Sequence, residues 1–123
     1  MKIKLLIVSF IFLSFSVHAQ NDSIENKIVD TIFKLKEVKQ RASYIKKVTK
    51  GKRHLSIFIE GEPSQENPYY WIKVWEDNGS NFVTHFHFFV YPNPFEIKFY
   101  DVVTDTAISL EEWRRQMKNQ KSN

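Results

Sequence analysis

Between Asp22 and Ile45 the apolar residues Ile24, Ile28, Ile32, Leu35, Val38, Ala42 and Ile45 recur at spacings of 4, 4, 3, 3, 4 and 3. That rhythm predicts an amphipathic helix, with a break near Leu35 that would divide it into two pieces. Asp22-Ser23-Ile24-Glu25 has the form of a capping box at its start. The opposite face is rich in Lys and Arg, and Gly51 closes the region. Beyond it the period changes to two. In "RHLSIFIE" (53–60) Leu55, Ile57 and Ile59 alternate with Ser56, Phe58 and Glu60. "GEPSQENP" (61–68) is a polar loop punctuated by two prolines. "YYWIKVWE" (69–76) sets Tyr70, Ile72 and Val74 against Tyr69, Trp71, Lys73 and Trp75. Asp77-Asn78-Gly79-Ser80 is a hairpin signal, because Asn-Gly accepts the positive φ angles of a tight turn. "NFVTHFHFFVY" (81–91) is the third strand, Pro92-Asn93-Pro94 a turn, and "FEIKFYDVV" (95–103) the fourth. Ser109-Leu110-Glu111-Glu112 is a second capping box, opening a short helix through Trp113 to about Lys118.

Helix, four strands and a short helix, with short connections between the strands, predict an α+β domain. The N-terminal helix lies on a four-stranded antiparallel meander. The face toward the helix is expected to hold Leu55, Ile57, Ile59, Tyr70, Ile72, Val74, Ile97 and Phe99. Phe82, Phe86, Phe88 and Val90 of the third strand join them. The opposite face then collects Phe58, Tyr69, Trp71, Trp75, His85, His87, Phe89, Tyr91 and Tyr100. A slip of one residue in the third strand would exchange its two sides.

The first nineteen residues read differently. Lys2 and Lys4 precede the apolar run Leu5–Val17, and Val17-His18-Ala19 suits a signal peptidase. The run is too short to span a bilayer core of ~30 Å comfortably. The expectation is an exported protein, periplasmic or secreted, with no stable membrane insertion after cleavage. Residues 20–123 then form one domain.

The chain carries a formal +4, and without Lys2 and Lys4 it carries 16 basic against 14 acidic residues, or +2. The distribution says more. Residues 34–53 hold nine bases and one acid, and residues 54–112 hold two bases and ten acids, so segments of +8 and −8 adjoin. An export signal argues against nucleic acid as the partner, whereas an anionic surface or acidic partner suits the basic segment. With no Cys, the domain is held by packing alone, and thiol catalysis, thiolate metal sites and a lipoprotein anchor are excluded.

The helix-on-meander order resembles the cystatin-like folds across nearly the whole of residues 20–123. The Gln-x-Val-x-Gly loop of the protease-inhibiting cystatins is absent where Asp77-Asn78-Gly79-Ser80 makes the hairpin. Cysteine-protease inhibition is therefore not implied. The runs "PYYWIKVWEDNG", "FHFFVYPNPFEIKFYD" and "ISLEEWRR", with Gln20 after the cleavage point, resemble small exported Bacteroidota proteins. That resemblance implies export and this architecture but no reaction.

Candidate chemistry is sparse. His85 and His87 on one side of a strand stand roughly 7 Å apart at ~3.3 Å per residue and could share a zinc or copper ion given a third ligand. A secreted metal-dependent hydrolase centred on them is the alternative enzyme reading. The competing account is two polar residues on an aromatic strand, which leaves no metal or other cofactor. No Ser occupies a nucleophile elbow, Glu111-Glu112 is explained by helix capping, and Asp101 and Asp105 fix turns. The aromatic face carries the functional expectation. An apolar sheet face of several hundred Å² generally marks contact with a partner. The sequence thus predicts a non-catalytic binding protein that uses that face, or its hairpin loops, to hold a protein or glycan. A homodimer packed sheet to sheet, as a self-associating structural domain, is the third reading. A C-terminal helix folded over part of the face, through Leu110, Trp113 and Met117, is the competing account of those rings.

Overall fold

The computed structural model describes residues 22–122, so the export signal and the cleavage after Ala19 lie outside the described residues. The chain divides into two compact units, Met1–Ile32 and Phe33–Asn123. In the first, residues 22–32 are helical and Ile28 and Ile32 are fully buried. This helix, α1, continues to residue 34 and is already formed at Asp22. The break expected near Leu35 is present: Leu35 is extended, with ψ 134°, and a new helix α2 runs over Lys36–Val48. The amphipathic stretch is thus divided into two helices, as its spacing near Leu35 predicts.

The second unit is α+β. Strands β1 (Leu55–Gly61), β2 (Tyr70–Asp77), β3 (Phe82–Pro92), β4 (Phe95–Asp101) and β5 (Thr106–Ser109) form one antiparallel meander in sequence order. Helix α3 (Leu110–Ser122) follows directly. The sheet thus has five strands where the sequence pattern gave four. The missed strand is four residues long, too short for alternation to register, and it exists because it pairs with Lys98–Asp101 of β4. Asp101 accepts the Val103 amide hydrogen at 2.9 Å and Asp105 adopts φ 52°, so both fix the turn before it. The Ser109 hydroxyl accepts the Glu112 amide hydrogen at 3.1 Å, as the capping box requires. Glu112 also receives Arg115 and Gln116 in the first turns, and α3 runs a full turn beyond its expected end at Lys118, where the Ser122 hydroxyl donates to Lys118 O at 3.1 Å.

Both α2 and α3 contact the same side of the sheet. Arg41 of α2 lies 5.6 Å from the Phe86 ring centre. Trp113 of α3 stacks on Phe99 at 4.4 Å and meets Phe86 and Phe88 edge-on at 5.8 Å each. Glu37 and Arg114 join the two helices with paired bonds of 3.0 Å. That bond is the main reason the Glu37 carboxyl is held below its ordinary range, and Arg114 is raised in turn. Val38, Ile45, Leu55, Tyr70, Ile72, Val74, Phe88 and Val90 are buried with Trp113. The C-terminal helix therefore belongs to the core side and does not cover the opposite face. Among the described residues no helix is long and apolar enough to cross a membrane.

Contact with three rings through one side chain makes Trp113 the main link between α3 and the sheet. Trp113→Ala is expected to lower stability by about 3–5 kcal/mol, measured by urea denaturation. A loss below ~1 kcal/mol would show that α3 docks independently of it.

Candidate functional site

Strand β3 determines which side chains reach each face. Val74 pairs with Phe86 but Trp75 pairs with Thr84, so His85 is an extra residue, a bulge. Because side chains alternate with period two, one inserted residue exchanges the faces of everything beyond it. Phe86, Phe88 and Val90 face the helices as expected. Phe82 does not: it lies on the second face, 72% exposed, edge-on to Trp75 at 4.8 Å. His85 goes the other way, under α2. Its Nε2 is 2.9 Å from Glu76 Oε1, and its Nδ1 is 3.4 Å from Arg41. Arginine only donates, so Nδ1 accepts and the Nε2 hydrogen goes to Glu76. Glu76 is buried, and the imidazole supplies the partner its carboxylate needs there.

His85 and His87 consequently point to opposite faces. They cannot share an ion, and the hydrolase centred on that pair loses its geometry. No group of three or more His, Cys, Asp or Glu among the described residues is placed to hold a metal.

The other sequence-predicted residues, Phe58, Tyr69, Trp71, Trp75, His87, Phe89, Tyr91 and Tyr100, come together on the second face, in two parts. The first is a closed cluster. Tyr69, Phe89 and Tyr100 form a continuous stack, with centroids 3.9 and 4.2 Å apart. Trp71 meets Phe89 and Tyr100 edge-on. Tyr91 meets Tyr69 edge-on and lies under the Lys98 ammonium. The polar tips of Trp71, Tyr100 and Tyr69 are tied up internally. Trp71 Nε1 donates to His87 Nδ1 at 3.0 Å, and the Tyr100 hydroxyl donates to Asp105 at 2.7 Å. The Tyr69 hydroxyl donates to Asn67 at 3.3 Å. The Asp105 bond raises the Tyr100 hydroxyl above its ordinary value, and burial raises that of Tyr69. Phe89, at the centre, is buried, and neither α2 nor α3 lies on its side of the sheet. Ring faces that stack on one another are not available to a ligand.

The second part is open. Phe82 meets Trp75 edge-on, and Phe58, 52% exposed, lies on the same face of β1, opposite Lys73. Beside Trp75 is a cleft of about 400 Å³ lined by Lys52, Arg53, His54, Ser56, Asp77, Asn78 and Gly79. Its walls are locally rigid. Helix α2 ends when the Gly51 amide bonds back to Lys46 O at 2.8 Å, with Lys50 at φ 54° and Gly51 at φ 78°. Thr49 then takes the Arg53 amide hydrogen, delivering Lys52-Arg53-His54 to the start of β1. Across the cleft, Asp77 accepts the Gly79 amide hydrogen, and Asn78 accepts those of Ser80 and Asn81. Gly79 at φ 93° fills the position the Asn-Gly signal predicted. The sequence reading missed this basic lip. Its only trace there was the segment of +8 ending at Arg53.

Comparison with known protein families, curated proteins and solved structures finds no match.

Burial holds the His87 imidazole below its ordinary value, with nearby Lys73 adding to the effect. The Trp71 bond also requires an unprotonated Nδ1. The unfolded chain, titrating at ~6.5, therefore takes up this proton first as pH falls. The stabilisation is complete above ~6.5 and declines as pH drops from there toward the folded value. In thermal melts at pH 7.5 and 5.5, His87→Gln is expected to lose less stability between the two than wild type. Parallel losses would show that His87 is not coupled to folding.

Proposed function

We propose that the protein is an exported binding protein that holds a macromolecular partner on the second face of its sheet, without catalysis. The observation that carries this reading is the position of α3. Trp113 commits it to the side already occupied by α2, so that within residues 33–122 no helix lies over the aromatic face. The contact surface is the open end of that face, Phe58, Trp75 and Phe82. The closed cluster of Trp71, His87, Phe89, Tyr69, Tyr91 and Tyr100 is the platform that keeps it flat and stiff. Exposed rings beside a rigid support form contact surfaces at low entropic cost, because little side-chain freedom remains to be lost on binding. The cystatin-like architecture belongs with this reading, since a helix layer confined to one side leaves the other side of a meander available.

The test compares wild type with the double variant Phe58→Ser/Phe82→Ser on immobilised arrays of glycans and peptides. Both rings are exposed, so the variant is expected to stay within ~1 kcal/mol of wild type in stability. Binding to the retained ligand is expected to fall at least tenfold. A ligand bound equally by both proteins, or none bound by wild type, would overturn the reading.

A further inference from the structure

The cleft beside Trp75 has a specific chemistry. Lys52, Arg53 and His54 stand on one lip, and among the described residues neither Lys52 nor Arg53 has an acidic partner. Among the described residues the basic side chains from Lys34 to Lys50 likewise form no ion pair with a carboxylate, so what distinguishes Lys52 and Arg53 is their place in a concavity beside an indole. On the opposite lip one Asp77 oxygen and the Asn78 carbonyl oxygen are already committed to the turn. The groups left to face the cleft are therefore mostly donors: two cations, His54, the Ser56 hydroxyl and the Asn78 amide nitrogen. Asp77 retains one acceptor oxygen among them, and Trp75 supplies a flat apolar wall. The volume is that of a small-molecule subsite, which typically spans about 300–1,000 Å³.

We infer that this cleft binds an acidic saccharide, with the carboxylate or sulfate of a sugar at Lys52 and Arg53 and its C–H face on Trp75. Three features select a sugar among anionic ligands. A sugar hydroxyl can donate to the free Asp77 oxygen, whereas a second acidic side chain of a peptide would be repelled by it. The aromatic wall suits a ring with an apolar face, which inorganic anions lack. Charge is the third: Asp77 stands on the opposite lip, so a dense polyanion such as a nucleic acid would meet a carboxylate within the cleft itself. A chain with one charge per sugar or fewer places its anion at the lip and continues over Phe82 and Phe58. The inference rests on the binding reading above and gives it a ligand class.

The test is titration of the full chain with uronate and sulfated oligosaccharides, following tryptophan fluorescence. Neutral oligosaccharides and poly-glutamate serve as comparisons. Saturable binding to an acidic oligosaccharide is expected, weakening as salt is raised because the anion–cation contact is exposed. Lys52→Ala/Arg53→Ala is expected to weaken it at least tenfold with an unchanged melting temperature. Lys46→Ala/Lys47→Ala, which removes the same charge from the end of α2, is expected to leave it within twofold. Equal loss in both double variants, or poly-glutamate binding as well as the saccharide, would overturn the assignment in favour of a general anion surface. Neutral ligands bound through Phe58 and Phe82 would overturn the saccharide inference while the binding reading stands, and no ligand bound at all would remove both.

Discussion

Strand β3 carries one residue more than β2 can match, and the character of both sheet faces depends on that insertion. Eight residues of β2, Tyr70 to Asp77, oppose nine of β3, Phe82 to Val90. The pleat sends successive side chains to opposite sides, so the bulge at His85 inverts the hairpin end of the strand relative to its other end. Phe82 is carried outward against Trp75, and His85 inward beneath α2, where Glu76 awaits a partner. An unbulged strand would leave Glu76 buried without the imidazole and would turn Phe82 toward the helices. The hydrogen bond and the exposed ring are two results of the same insertion.

Having no cysteine, the domain relies on ring packing on both sides of one sheet. On the helix side Trp113 engages three phenylalanines, and Glu37 and Arg114 fasten α3 to α2. On the other side Tyr69, Phe89 and Tyr100 stack, and the polar tips of Tyr69, Trp71 and Tyr100 find their partners within the domain. Such a cluster behaves as a second small core rather than as a recognition surface. The rings left exposed are those where the stacking stops, at Trp75, Phe82 and Phe58, and the proposed contact is placed there.

That end is also where the charge of the chain changes sign. The basic segment finishes at Arg53 and the acidic one begins immediately after it. The reversal after α2 turns the last two cations of the basic segment toward the hairpin, and the Asn-Gly turn closes the cleft from the other side. A linear asymmetry thereby becomes a local one, with unpaired cations and an indole within a single concavity.

Much of this was legible in the one-dimensional pattern. The helix period with its break at Leu35, the alternation in β1 and β2, the Asn-Gly turn and the Ser109 cap are all local, set by residues within one turn or one hairpin of each other. Alternation also named eight residues that share the second face, since β1, β2, β4 and the unbulged end of β3 keep strict period two. Local sequence could not fix what depended on pairing. The bulge is visible only when both ends of β2 and β3 are registered against each other, so His85 and Phe82 were assigned to the wrong sides. The fifth strand is too short to announce itself without β4 beside it. The side taken by α3 was decided by Trp113 finding Phe86, Phe88 and Phe99, and the basic lip acquired its cleft only when residues 52–54 and 77–79 came together. In each case the deciding contact joins one strand or helix to another, and its energy exists only once those elements have come together.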